Sequence, residues 1–119
     1  MKLIKQIKKN FKIFEFDPNK YYNGESLEEK IFLIFLRKYG WEEYKNYAYN
    51  RGQHHIYVIF DYTPGTPVWV GFLHALECDD ISKKLIQQIY FLEEALFDNK
   101  VVFIHTISIR FRYRHKRYA

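Results

Sequence analysis

The sequence predicts an α/β (α+β) fold: a small mixed sheet built on a central β-hairpin plus a C-terminal strand, packed by two main helices, with a basic N-terminal helix or arm. Three observations carry this. Residues 54–61 and 68–77 are rich in β-branched and aromatic residues, and Thr63-Pro64-Gly65-Thr66-Pro67 reverses the chain between them. Residues 26–40 and 80–98 carry apolar residues at helical spacing. Residues 101–114 alternate as a strand does. A length of 119 residues suits a single domain, with residues 1–24 a basic helix and short strand and residues 25–119 an α-β-β-α-β core.

Taken in order, Leu3, Ile4, Ile7 and Phe11 have helical spacing among lysines, which predicts a basic amphipathic helix. Residues 11–16 read as a short strand, closed by turn signals at Asp17-Pro18 and Asn23-Gly24. The first main helix starts with the capping pattern Ser26 and Glu29 and stops at Gly40. Its apolar residues run almost all round, so it is expected to be buried on more than one side. The aromatics Trp41, Tyr44, Tyr47 and Tyr49 are residue types that stack on nucleobases, but core and rim packing is their commoner role.

In the hairpin, facing residues should have numbers summing to about 130. That sets Ile56 near His74, His54 near Leu76, and Asp61 near Trp69 at the turn end. Both faces are largely apolar, so both are expected to be covered. The second main helix is capped by Asp80 or Ser82. In the last strand Arg110, Arg112 and Arg114 fall on one face as a ladder with rungs ~6.6–7 Å apart.

No apolar run approaches the ~20 residues that cross a bilayer, so no membrane span is expected, and no signal peptide is recognisable. The single Cys78 rules out an internal disulfide and fits a reducing, cytoplasmic setting; as a residue it reads as a small buried apolar group. Lys2, Lys5, Lys8, Lys9 and Lys12 at one end, and Arg110, Arg112, Arg114, Lys116 and Arg117 at the other, carry +10. The total is +5, so the middle carries −5. Basic ends on an acidic middle point to an anionic partner, and nucleic acid is the expected one. The hydrophobic surplus suggests a homodimer. Nothing indicates a small-molecule cofactor. The Ile, Lys, Tyr and Phe usage resembles that of small crenarchaeal-virus proteins, which would make the setting a host cytoplasm.

The order helix, hairpin, helix, strand, with acids near the second hairpin strand, resembles the core of the restriction-endonuclease-like PD-(D/E)xK nucleases over residues 25–109. By that resemblance Glu28 or Glu29 matches the first-helix acid, Glu77-Cys78-Asp79 the E-x-K tripeptide, and Gln87 or Gln88 with Tyr90 the later helix. It implies catalytic Glu77, Asp79 and Lys83, and Mg²⁺ or Mn²⁺ held by Glu28, Glu77, Asp79 and His54. Asp79 stands where that family has lysine, with Lys83 or Lys84 as a migrated substitute. Asp61, the obvious partner acid, lies ~25 Å along the strand from Glu77. A second, slighter resemblance is to single-strand nicking initiators, whose His-hydrophobic-His motif is here His55-Ile56-Tyr57. The leading expectation is therefore nucleic-acid binding in a nuclease-like fold through Lys5, Lys8, Lys9, Lys12, Arg110, Arg112, Arg114, Lys116 and Arg117, with catalysis in doubt. The alternative is a structural or protein-interaction homodimer, possibly viral. If a site exists, the open end of the hairpin around Arg51, His54, Glu77 and Asp79 is the place for it.

Overall fold

A computed structural model describes residues 1–8, 10–47, 50–90, 102–110 and 113 of the chain. Eight elements follow one another: β1 (Lys2–Lys8), β2 (Phe11–Phe16), α1 (Leu27–Tyr39), α2 (Trp41–Tyr44), β3 (Gly52–Asp61), β4 (Val68–Cys78), α3 (Asp80–Tyr90) and β5 (Val102–Ile109). The five strands form one sheet in the order β1-β2-β3-β4-β5. Every neighbouring pair is antiparallel, where a mixed sheet was expected. The fold is thus α+β, with three helices among the described residues and a fully antiparallel sheet.

The hairpin register is the one that turn geometry dictates: Ile56 faces His74, His54 faces Leu76 and Gln53 faces Glu77. A bulge after Ile59 then pairs Phe60 with Trp69 and Asp61 with Val68. The bulge moves Trp69 to the helix-covered face, where it meets Phe35 and Phe72.

The N-terminal segment is a strand, which corrects the helix expected there. Its lysines do recur every third residue, but two bulges accommodate that period in a strand. Lys2, Lys5 and Lys8 pair with Glu15, Ile13 and Phe11, alternate residues of β2. Each bulge inserts one extra residue, so a period of two becomes a period of three.

Helix α1 starts and ends where its caps predict. Ser26 accepts a hydrogen bond from the Glu29 N–H at 3.1 Å, and Gly40 adopts the left-handed conformation at φ 76°. The helix is buried on one side rather than several. Phe32 and Phe35 pack into a core of Phe14, Phe16, Ile56, Val58, Phe60 and Phe72, while Leu27 and Ile34 are exposed. Stacking of Phe16 on Phe32 at 4.1 Å joins helix to sheet.

Helix α3 is capped by Asp79, one residue before the nearer candidate Asp80: its Oδ1 accepts the Ser82 N–H at 2.8 Å. The continuation of this helix towards residue 98 lies outside the described residues. In β5 a bulge at His105 breaks the simple alternation, since Ala75 pairs with Ile104 but His74 with Thr106. His105 stays inward beside His74, and Ile107 turns outwards, 65 % exposed. The strand ends at Ile109, and the Tyr113 N–H bonds to the Arg110 carbonyl. Arg112 and Arg114, the further rungs of the expected arginine ladder, lie outside the described residues.

Among the described residues the second sheet face is only partly covered, where full cover was expected. Tyr57, Ile59 and Leu73 are half-buried, and Val102 and Ile104 are exposed. Among the described residues no helix is long and apolar enough to cross a membrane.

Gly52 has φ 135°, and a Cβ there would lie 1.9 Å from the Glu77 carbonyl oxygen. Gly52→Ala is expected to destabilise the protein by more than ~1 kcal/mol in chemical denaturation, by combining strain with collision. An unchanged midpoint would contradict the close approach at this end of the hairpin.

Candidate functional site

The open end of the hairpin separates the residues that the nuclease resemblance groups. Glu77 projects from the half-exposed face, where its Oε1 lies 3.3 Å from His55 Nε2. His54, the next residue to His55, projects from the opposite face and is 4 % exposed. Asp79 is engaged twice, by the Ser82 N–H and by Arg51 Nε at 3.1 Å. Lys83 pairs with Asp80 at 3.6 Å. Glu28 is at the other end of the sheet, close enough to Tyr62 to raise its pKa together with the larger effect of burial. Among the described residues no three His, Cys, Asp or Glu side chains converge to hold a metal ion. Glu28, Glu77, Asp79 and His54 therefore do not form a donor set for Mg²⁺ or Mn²⁺.

The histidines of the helix side form a directed hydrogen-bond chain instead. The Asn50 carbonyl can only accept, so His54 Nε2, 2.7 Å away, carries the proton. His54 Nδ1 is then an acceptor for His74 Nε2–H at 2.9 Å. His74 Nδ1 in turn accepts from the Tyr39 hydroxyl at 2.8 Å, and that oxygen can accept from Thr106 at 3.1 Å. The chain uses both nitrogens of both rings, leaving neither ring a lone pair for a metal. It requires both rings neutral. Burial, reinforced by its two histidine neighbours, pushes His74 down to about 3. Burial also lowers His54, against the opposing pull of the Asn50 carbonyl.

His105 stacks on His74 at 4.7 Å, and burial followed by the nearby His54 pushes it down to about 4. Trp41 meets His54 edge-on at 4.7 Å, and Tyr44 stacks on Tyr39. These two aromatics of the 41–50 segment are thus packing groups around the histidines; Tyr49 lies outside the described residues. Asn50 and His54 also border a shallow cavity of about 310 Å³ with Arg51, Lys45 and Asp79.

On the other face, His55 sits between two carboxylates. Its Nδ1 contacts Glu15 Oε1 on β2, and its Nε2 faces Glu77 on β4. The Tyr57 ring stacks alongside at 6.2 Å. Burial and then Glu15 and Glu77 raise the Tyr57 pKa, so its hydroxyl stays protonated. Glu15 escaped sequence reasoning because its proximity to His55 depends on β2 pairing with β3, and nothing local signals that pairing. Cys78 is half-buried, and burial pushes its thiol pKa up, which suits a packing residue.

Of the basic residues, Lys5 is exposed on the edge strand β1. Lys8 pairs with Phe11 at the end of the same strand. Lys12 holds its ammonium 5.0 Å from the Tyr62 ring. Arg110 is exposed, with Nη1 3.3 Å from the Trp69 carbonyl. Lys9, Arg112, Arg114, Lys116 and Arg117 lie outside the described residues. Asp61, 6 % exposed, accepts from the Tyr113 hydroxyl at 2.8 Å and from the Thr63 N–H. The Tyr113 ring also meets Phe11 edge-on at 6.5 Å. Asp61 is therefore a buried anchor for the C-terminal segment.

No family model, no curated protein and no solved structure matches this chain.

The neutral histidines give stability a pH dependence of definite sign. Unfolded, they titrate near 6.5; folded, His74 and His105 stay neutral down to about 3 and about 4. In that window the unfolded chain binds more protons, so stability is complete above pH 6.5 and is lost as pH falls. The melting temperature should drop as pH is lowered from 6.5 towards 4, and His74→Gln should flatten the drop. A melting temperature constant over that range would contradict buried neutral histidines.

Proposed function

We propose that the protein binds nucleic acid through a basic surface at the turn end of the hairpin. The observation that supports this is the anchoring of Tyr113 on Asp61 and Phe11. It holds Tyr113 at the end of the sheet where the β1–β2 turn brings Lys8 and Lys12. Lys12 pairs with Phe60, Phe60 with Trp69, and Arg110 bonds to the next residue, Val70. Lys12 and Arg110 thus flank one end of the sheet, ~14 Å apart across three strand spacings. In sequence Arg112, Arg114, Lys116 and Arg117 surround Tyr113. A polyanion lying across that edge meets cations from both ends of the chain.

Glu15 and Glu77 on the half-exposed face would repel phosphate, which favours the rim over the face as the path. Cleavage is no part of this reading, because the acids of the nuclease resemblance point in different directions. A homodimer is a second, compatible reading, favoured by the exposed Val102, Ile104 and Ile107 on β5.

With six phosphate contacts, affinity for a labelled oligonucleotide should fall about a thousandfold between roughly 50 and 200 mM salt. Lys12→Glu with Arg110→Glu should weaken low-salt binding and flatten the salt slope. No binding at low salt, or unchanged binding by the double variant, would remove the proposal. Tyr113→Phe changes no charge. It should cost ~1–2 kcal/mol of stability by leaving Asp61 short of a donor, and weaken binding by freeing the C-terminal segment. Full affinity in that variant would contradict the role given to the anchor.

A further inference from the structure

We propose that His55 and Glu77 bind a divalent transition-metal ion of the Zn²⁺ class, with Glu15 orienting the imidazole from behind. This site is independent of the nucleic-acid surface and uses a different face from the buried histidine chain.

The inference starts from an electrostatic mismatch. His55 Nδ1 contacts Glu15 Oε1, and a carboxylate can only accept, so the proton is on Nδ1. In the neutral ring Nε2 then carries a lone pair. Nε2 is shut off from solvent and has no hydrogen-bond partner. A carboxylate oxygen, Glu77 Oε1, lies 3.3 Å from it. That distance suits an ion pair, yet the two groups are not aligned as a hydrogen bond. A lone pair facing an anionic oxygen is repulsive unless a proton or a metal ion lies between them, and the absence of hydrogen-bond alignment at 3.3 Å suits a metal ion better than a proton.

The dimensions suit a metal ion. With bonds of about 2.1 Å to nitrogen and oxygen, a separation of 3.3 Å subtends ~104° at the ion, near the tetrahedral angle. A carboxylate on the far nitrogen of a metal-bound histidine fixes its tautomer and strengthens it as a ligand. Glu15 stands in that position, held there by the pairing of β2 with β3. Tyr57 stacks on the ring and limits its rotation. The Glu77 side chain is 33 % exposed, so water can complete the coordination. Gln53 pairs with Glu77 across the strands and is exposed on the same face, within reach as a third donor. Imidazole with carboxylate is a donor set for zinc, cobalt or manganese rather than for a soft monovalent ion.

The test is a titration of the full chain with Zn²⁺ by calorimetry, and with Co²⁺ by paramagnetic NMR. One saturable site is expected, with Co²⁺ broadening centred on residues 15, 53, 55 and 77. His55→Gln and Glu77→Gln should abolish the site. Glu15→Gln should weaken it by about 10–100-fold while keeping the stoichiometry. His54→Gln, on the other face, should leave it intact. Should a variant fail to fold, the broadening map on the wild-type chain decides alone. No saturable binding, broadening centred elsewhere, or binding indifferent to His55→Gln would overturn the proposal.

Discussion

The antiparallel register of β3 on β4 determines which chemistry this chain can assemble. Once Ile56 faces His74, the hairpin follows with a period of two residues from Gly52 to Ile59, and a bulge shifts the pairing by one at the turn end. Asp61 goes to the turn end and Glu77 to the open end, so they cannot share an ion. His54 goes to the helix-covered face, diagonal to His74, and His55 to the other face beside Glu77. One set of backbone pairings therefore scatters the acids that sequence order seemed to gather. It also builds two histidine environments that sequence order did not show.

Those environments are chemically opposite although their residues are adjacent. His54 is enclosed by Trp41, His74 and the Asn50 carbonyl, and its proton has one place to go. Its chain of neutral groups, from Thr106 through Tyr39 and His74 to Asn50, satisfies polar atoms that would otherwise be costly to bury. His55 is flanked by Glu15 and Glu77, and its free nitrogen faces negative charge. The first arrangement excludes cations and the second invites one.

What could be read in the sequence was what is local. The caps of α1 at Ser26 and Gly40 and the hairpin register follow from a few neighbouring residues, and the structure has them where they were expected. Bulges defeated the rest. Two in β1 let lysines spaced by three lie on a strand, so helical spacing pointed to the wrong element. The one at His105 left His105 inward but turned Thr106 inwards and Ile107 outwards, reversing the second half of β5. Long-range pairing was equally hidden: nothing near Glu15 foretells His55, forty residues on, and nothing near Asp61 foretells Tyr113. The same Asp61 that looked like half of a catalytic pair is the buried acceptor holding the C-terminal segment.

The proposed binding of nucleic acid puts the anionic partner at the turn end of the hairpin, where Tyr113 is anchored on Asp61 beside Lys12 and Arg110. Amide chemical-shift mapping with a short oligonucleotide at low salt tests it most directly. The account predicts shifts concentrated at Lys12, Tyr62, Arg110 and Tyr113, with Arg51, His54, Glu77 and Asp79 unperturbed. Shifts centred on the open end, or none at all, would contradict it.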